Sequence, residues 1–223
     1  MTRRLCLWLL VCLGVWLSTA VATAEQESEA SSPAKVRRFA LVIGANRGRP
    51  NDAELAYAHR DAERVAELMR RLGRIHQEDL VMLQQPTAQA VERVIAELAR
   101  RVTSADVPVV LYVYYSGHAD ATALRMGETT LALARLNDLL AAVPARVRVL
   151  ILDACRSGDV TRTKGGKPAK PFDIEASDEL ATRGTAVIRS SAAGEDAQES
   201  ERLRGGIFTH HLLTGLVGAA DES

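Results

Sequence analysis

The sequence predicts an α/β domain with a mostly parallel sheet and helices on both faces. Short apolar runs rich in β-branched residues alternate along the chain with amphipathic stretches, a pattern typical of strand-helix-strand units. Two of these runs lead directly to reactive side chains: VVLYVYY (109–115) precedes His118, and VRVLIL (147–152) precedes Asp153 and Cys155. Because parallel strands end at a common edge, where open α/β sheets bind ligands, we expect an imidazole and a thiol at that edge.

Apolar periodicity and turn residues define the elements of the first half of the domain. The first apolar run ends at turn-forming Gly44, Asn46, Gly48 and Pro50, Gly73 follows the first helical pattern as a C-cap, and Thr87 precedes the second as an N-cap. The predicted elements are a strand at Arg38–Ala45, a helix at Leu55–Leu72, a strand at Asp79–Leu83, a helix at Thr87–Arg101 and a strand at Val107–Tyr115.

The second half continues the alternation, which predicts right-handed crossovers in a doubly wound sheet. A basic stretch rich in Gly and Pro separates the Cys155 strand from the next one and is predicted to be a loop. The predicted elements are a hairpin turning at Met126–Glu128, a helix at Ala134–Val143, a strand at Val147–Leu152, the loop at Thr161–Asp173, a strand at Gly184–Ala192 and a helix at Gly205–Gly218.

The first 24 residues have the pattern of a secretory signal peptide. Arg3 and Arg4 precede a leucine-rich core, and Ala22-Thr23-Ala24 is a small-residue cleavage site. We therefore expect an exported protein, periplasmic or secreted, that is free of the membrane after cleavage; an uncleaved membrane anchor is the alternative. Residues 25–35 are polar and free of aromatic side chains, which predicts a disordered linker before a single domain at 36–223.

Cysteine content and charge exclude several classes of function. Signal removal would take away Cys6 and Cys12 and leave Cys155 as the only cysteine, so neither an internal disulfide nor a dithiol redox pair is possible. Removal of Arg3 and Arg4 takes the formal net charge from 0 to −2, which does not favour nucleic acid as a partner. No histidine pair has metal-ligand spacing with a carboxylate, so we expect neither a metal nor a cofactor.

Two motifs in this order resemble the catalytic motifs of caspase-like cysteine peptidases. They are Tyr115-Ser116-Gly117-His118 and Asp153-Ala154-Cys155-Arg156-Ser157-Gly158, and the similarity extends over most of residues 37–221. The resemblance implies a three-layer caspase-like fold around a six-stranded, mostly parallel sheet. It also implies a peptidase with His118 as general base and acid, Cys155 as nucleophile, and an oxyanion hole formed by the backbone N–H groups of Gly117 and Cys155.

The resemblance also implies a preference for basic side chains before the scissile bond. Animal caspases carry glutamine two residues before the cysteine and cleave after aspartate, whereas metacaspases carry aspartate there and cleave after arginine or lysine; this chain has Asp153. Asp61 and Ser116 match two further pocket residues of metacaspases. Two carboxylates in one small pocket suit a guanidinium or ammonium group. The simpler alternatives are a solvated helix carboxylate for Asp61 and a turn residue for Asp153.

Further expectations concern processing and domain organisation. Arg162, Lys164, Lys167 and Lys170 lie where caspases separate their subunits, so residues 160–173 are either a self-cleavage segment or an ordinary solvated loop. A non-catalytic caspase-like scaffold or sensor is the alternative to a peptidase. We expect the domain to continue beyond Ser223, as it does in many relatives. The oligomeric state stays open.

Overall fold

A computed structural model describes residues 35–156, 174–176, 184–190 and 198–219, with only the backbone described for 155–156, 174–176 and 219. The predicted signal peptide, most of the predicted linker and the 160–173 segment lie outside the described residues. The strands are β1 (Arg37–Ala45), β2 (Leu80–Gln84), β3 (Val109–Ala119), β4 (Ala123–Met126), β5 (Thr129–Ala132), β6 (Val147–Arg156), β7 (Ile174–Ala176), β8 (Gly184–Arg189), β9 (Glu199–Ser200) and β10 (Gly205–Gly206). The helices are α1 (Ala58–Arg71), α2 (Ala88–Thr103), α3 (Leu133–Ala142) and α4 (Ile207–Thr214).

The central sheet is mostly parallel, as predicted. Its main path runs β2-β1-β3-β6-β8-β7, in which the first five strands are parallel and β7 is antiparallel. This path has the six strands expected, and the β4–β5 hairpin, which pairs with the end of β3, brings the sheet to eight strands. The hairpin was predicted, but its joining the sheet was not, because strand pairing between distant residues leaves no local pattern.

Helices cover both faces of this sheet and bury its apolar side chains in two clusters. On one face, α1 and α4 pack Ala62, Val65 and Leu213 against Val42 and Tyr114. On the other face, α2 and α3 pack larger aliphatic side chains against those of the sheet. The helices contribute Val91, Ile95, Leu98, Leu136 and Leu140, and the sheet contributes Leu41, Val113 and Leu152. The result is the predicted three-layer arrangement. Both layers of helices are needed, because the strands carry apolar side chains on both faces of the sheet and these must be buried.

The start of α2 agrees with the sequence signal, whereas the starts of α1 and α4 differ from the predictions. Thr87 caps α2 by accepting a hydrogen bond from the backbone N–H of Ala90 at 3.2 Å, as predicted. Helix α1 begins three residues later than predicted, and the backbone N–H of His59 in its first turn donates to Oδ1 of Asn46 at 2.9 Å. The predicted last helix is shorter at its start because Gly205 and Gly206 form β10 with β9.

Two predicted strands were too short, and the difference affects the site. Strand β3 was predicted to end at Tyr115 and β6 at Leu152, but they continue to Ala119 and Arg156. The extension is possible because His118 and Ala119 pair with β4 on one side and with β6 on the other. His118 and Cys155 therefore lie inside two paired strands, near the carboxyl end of each.

Among the described residues, none of the helices combines the length and the apolar character needed to cross a membrane.

Candidate active site

His118 and Cys155 are direct neighbours in the sheet. The parallel register of β3 and β6 pairs His118 with Cys155, Gly117 with Ala154 and Ser116 with Asp153. Adjacent strands are about 4.8 Å apart, so the two backbones approach each other closely at this edge. The edge is also the carboxyl end of β1, whose last residue, Ala45, pairs with Gly117.

The imidazole of His118 is buried and only partly satisfied. The residue is 1% exposed, and Nε2 has no hydrogen-bond partner among the described residues, whereas the backbone of Ala53 accepts a hydrogen bond from the ring. Burial lowers the pKa of His118 below its ordinary value, which favours the neutral ring at pH 7. A buried ring nitrogen without a partner is uncommon, and here it leaves one nitrogen free for a proton transfer.

Gly117 occupies a position that a larger residue cannot fill. A Cβ atom on Gly117 would lie 2.6 Å from Oη of Tyr115 and 2.9 Å from the carbonyl oxygen of Ala45. The Tyr115 hydroxyl is hydrogen-bonded to the carbonyl oxygens of His118 at 2.7 Å and Arg125 at 2.8 Å. The glycine therefore lets a buried tyrosine tie the end of β3 to the β4 strand, which fixes the backbone around His118.

Asp61 and Asp153, called the acidic pair below, converge on one residue although they come from different elements. A Cβ atom on Gly206 would lie 2.9 Å from Oδ2 of Asp61 and 2.7 Å from Oδ2 of Asp153. Both side chains are buried, at 1% and 6% exposure. Ser116, itself buried, is the register partner of Asp153, so all three residues predicted for the substrate pocket lie together.

The first turn of α4 holds the acidic pair. The backbone N–H of Gly206, which is the N-cap of α4, donates to Oδ2 of Asp61 at 2.6 Å. The hydroxyl of Thr209 donates to Oδ2 of Asp153 at 2.6 Å. A helix N-terminus favours negative charge, because its backbone N–H groups are unpaired and the helix dipole is positive there.

Thr209 connects the acidic pair to a second buried hydroxyl. Its Oγ1 lies 2.6 Å from Oη of Tyr114, and both residues are fully buried. Because the one hydroxyl proton of Thr209 goes to Asp153, the Tyr114 hydroxyl must donate to Thr209. The chain of two hydrogen bonds therefore ends on Asp153 as the acceptor.

Burial makes the acidic pair costly to ionise. Desolvation raises the pKa of Asp61 to about 7, opposed by the Gly206 hydrogen bond and increased by the charge of Asp153. Desolvation likewise raises the pKa of Asp153 to about 6, opposed by hydrogen bonds from Thr209. Among the described residues, the guanidinium of Arg64 forms an ion pair with Asp61, with Nη1 3.6 Å from Oδ1, and that Oδ1 has no hydrogen-bond partner. Both carboxylates thus favour an additional cation.

Glu199 joins the β9–β10 hairpin to the start of α1. Its carboxylate accepts hydrogen bonds from the backbone N–H groups of Ala56 at 2.9 Å and Tyr57 at 2.8 Å. This contact holds Gly206, on β10, against Asp61, on α1. No sequence pattern predicted Glu199, Thr209 or Gly206 as site residues. Their one local signal is the Gly205-Gly206 pair directly before an apolar helical stretch.

No group of three or more His, Cys, Asp or Glu side chains is arranged to hold a metal ion in the part of the chain that the structure describes.

The cysteine and histidine motifs lie at the ends of two paired strands, in a three-layer domain whose sheet has this strand order. These features define a caspase-like domain. The family described as "Caspase domain" matches residues 37–222, and the chain belongs to that family. No curated protein sequence matches the chain.

Solved structures with the same fold include the following two. Caspase-1 from Spodoptera frugiperda is similar with a TM-score of 0.60 and 15% sequence identity, over 86% of this chain and 74% of that one. A protein from Geobacter sulfurreducens is similar with a TM-score of 0.58 and 17% identity, over 82% of this chain and 83% of that one. At such identities the similarity concerns the fold, which confirms the predicted caspase-like architecture.

Proposed function

We propose that this protein is an exported cysteine endopeptidase of the caspase and metacaspase type, with His118 and Cys155 as its catalytic dyad. The observation that carries the proposal is the register that makes these two residues neighbours at the carboxyl edge of the sheet. Membership of the caspase-domain family supports it, as does the Nε2 atom of the buried imidazole, which has no hydrogen-bond partner in the described part of the chain.

The proposed reaction begins with transfer of the thiol proton of Cys155 to the imidazole of His118. The thiolate attacks the carbonyl carbon of the substrate, and the backbone N–H groups of Gly117 and Cys155 stabilise the negative charge on its oxygen. Each such donor contributes about 3 to 4 kcal/mol to lowering the barrier. His118 then returns the proton to the leaving amine, and water hydrolyses the acyl-enzyme in the second half of the reaction.

The proposed specificity is for arginine or lysine before the scissile bond. Asp61, Ser116 and Asp153 are the proposed pocket residues, and the clustering of the acidic pair around Gly206 supports that assignment. A guanidinium or ammonium group would neutralise two carboxylates that burial otherwise makes costly to ionise.

A panel of fluorogenic peptides that differ only in the residue before the scissile bond tests this function. We expect turnover of the Arg and Lys peptides, no turnover of the Asp peptide, and none of any peptide by the full-length Cys155→Ala control. Preferential cleavage of the Asp peptide would contradict the proposed pocket. Absence of Cys155-dependent turnover with all peptides would favour the scaffold or sensor alternative.

A further inference from the structure

The imidazole of His118 lies against a glycine and a carboxylate that are outside the two motifs. A Cβ atom on Gly48 would lie 2.8 Å from both Cγ and Cδ2 of His118 and 2.4 Å from Oδ2 of Asp52. The ring and the carboxylate therefore both occupy the space that a side chain at position 48 would need, in the segment between β1 and α1. No larger residue fits at position 48 without moving both of them.

Asp52 is itself held in place by a network of charged groups. Its Oδ2 accepts a hydrogen bond from the backbone N–H of Arg49 at 2.8 Å, and its two carboxylate oxygens lie 3.2 and 3.3 Å from Nη1 of Arg125. Arg125 is buried, is the β4 register partner of His118, and also binds Asp120 through Nη2 at 3.1 Å. The carboxylate of Asp52 thus has a fixed position beside the ring.

The charges around His118 come from several elements and differ in sign. Burial opposes protonation of the ring, Asp52 and the backbone of Ala53 favour it, Arg125 on β4 opposes it, and Glu199 on β9 favours it. Cys155, on β6, is the register partner of His118. Of the side-chain carboxylates that favour the protonated ring, Asp52 has the larger effect.

We propose that Gly48, Asp52 and Arg125 form a cradle for His118, in which Gly48 sets the position of the imidazole and Asp52, fixed by Arg125, stabilises its cationic form. The inference rests on the proposed function, since it concerns the step in which the S–H bond of Cys155 breaks and an N–H bond forms on His118. A thiolate and an imidazolium result. A carboxylate fixed near the imidazolium lowers the energy of that state without accepting the proton itself.

The charge role of Asp52 is tested by titrating the His118 ring by NMR in full-length Cys155→Ala protein. We expect Asp52→Asn to lower the pKa of His118 by about half a unit or more. Asp52→Glu, which keeps the charge, should restore most of the value. Asp120→Asn is the matched control, because it removes another carboxylate that binds Arg125, and it should shift the pKa by less than half as much.

An unchanged pKa in Asp52→Asn, or an equal shift in Asp120→Asn, would overturn the charge role. The titration needs no catalysis, so it gives an answer even if the protein is not a peptidase. In active protein the same change should move the acid limb of the kcat/KM profile to lower pH, because the neutral ring that accepts the Cys155 proton then persists at lower pH.

The positional role of Gly48 is tested by Gly48→Ala in active full-length protein. Displacement of the ring should lower kcat by about tenfold or more with little change in KM, because the proposed pocket formed by the acidic pair is elsewhere. Gly215→Ala is the matched control, since a Cβ atom on Gly215 would meet nothing within 4 Å. A kcat equal to that of the control would overturn the positional role.

Discussion

At the scale of single residues, Asp153 combines a structural contact with a proposed role in the substrate pocket. Its carboxylate accepts the Thr209 hydroxyl at the start of α4, and it lies two residues before Cys155 on the same strand. Replacement by alanine would therefore remove both the charge and the acceptor for a buried hydroxyl. Replacement by asparagine separates the two, because an amide oxygen can still accept from Thr209.

We expect Asp153→Asn to lower kcat/KM for arginyl peptides by at least about thirtyfold, the equivalent of about 2 kcal/mol. The free energy of unfolding should be unchanged or higher, since a buried charge has been removed. Peptidase kinetics and urea unfolding measure the two effects. Asp138→Asn on the exposed face of α3 is the control. Full activity toward arginyl peptides in Asp153→Asn would contradict the proposed pocket.

At the scale of elements, the β9–β10 hairpin carries Gly206 to the acidic pair, and Glu199 attaches that hairpin to the start of α1. The attachment consists of two charge-assisted hydrogen bonds between segments far apart in sequence. Loss of this contact should therefore loosen the position of Gly206 against Asp61, although Glu199 itself does not bind Asp61.

We expect Glu199→Ala to lower the free energy of unfolding by about 1 to 3 kcal/mol, because two backbone N–H groups lose a charged acceptor. The KM for arginyl peptides should rise, since the hairpin is less firmly held against Asp61. Glu201→Ala, at an exposed position of the same hairpin, is the control and should change neither quantity. Equal behaviour of the two variants would show that the contact has no such role.

At the scale of the whole molecule, the acidic pair links folding stability to pH. The folded state raises the pKa of Asp61 to about 7 and that of Asp153 to about 6, whereas both have ordinary values near 3.8 when unfolded. The unfolded chain therefore releases these protons at lower pH than the folded protein does. The pair makes the fold less stable as the pH rises from about 4 to about 7.

We expect the thermal midpoint of the parent protein to fall more between pH 5 and about pH 8 than that of an Asp61→Asn, Asp153→Asn double variant. The comparison with the variant cancels the effects of other titrating groups, including the oppositely shifted His118. Over the same range, the KM of active protein for arginyl peptides should fall as the pair ionises. Parallel stability profiles of parent and variant would refute the linkage.

Self-processing is also a property of the whole chain, since it joins the site to residues 160–173. We expect incubation of purified protein to give two fragments cut after one of Arg162, Lys164, Lys167 or Lys170, because their charge suits the acidic pair. Intact-mass spectrometry measures the products, and Cys155→Ala protein should stay whole. Cys155-independent fragments, or intact parent protein, would rule this out and leave an ordinary loop.

The architecture was predictable because its signals are local. Alternating apolar runs and amphipathic stretches, with Thr87 as a cap and Gly-rich turns, indicated how strands and helices follow one another along the chain from β1 to β6. The strand ends were less predictable. His118 and Cys155 are polar or small residues, which locally resemble turn residues, and only pairing with neighbouring strands keeps them within β3 and β6.

The sequence by itself determined the fold class, the family motifs around His118 and Cys155, and the candidate carboxylates Asp61 and Asp153. Only the tertiary structure decided what surrounds them. Gly206, Thr209 and Glu199 meet the acidic pair or its elements across large sequence separations, as Gly48 and Asp52 meet His118. Such contacts depend on how helices and loops pack on the sheet edge, and packing between distant segments has no periodicity along the chain.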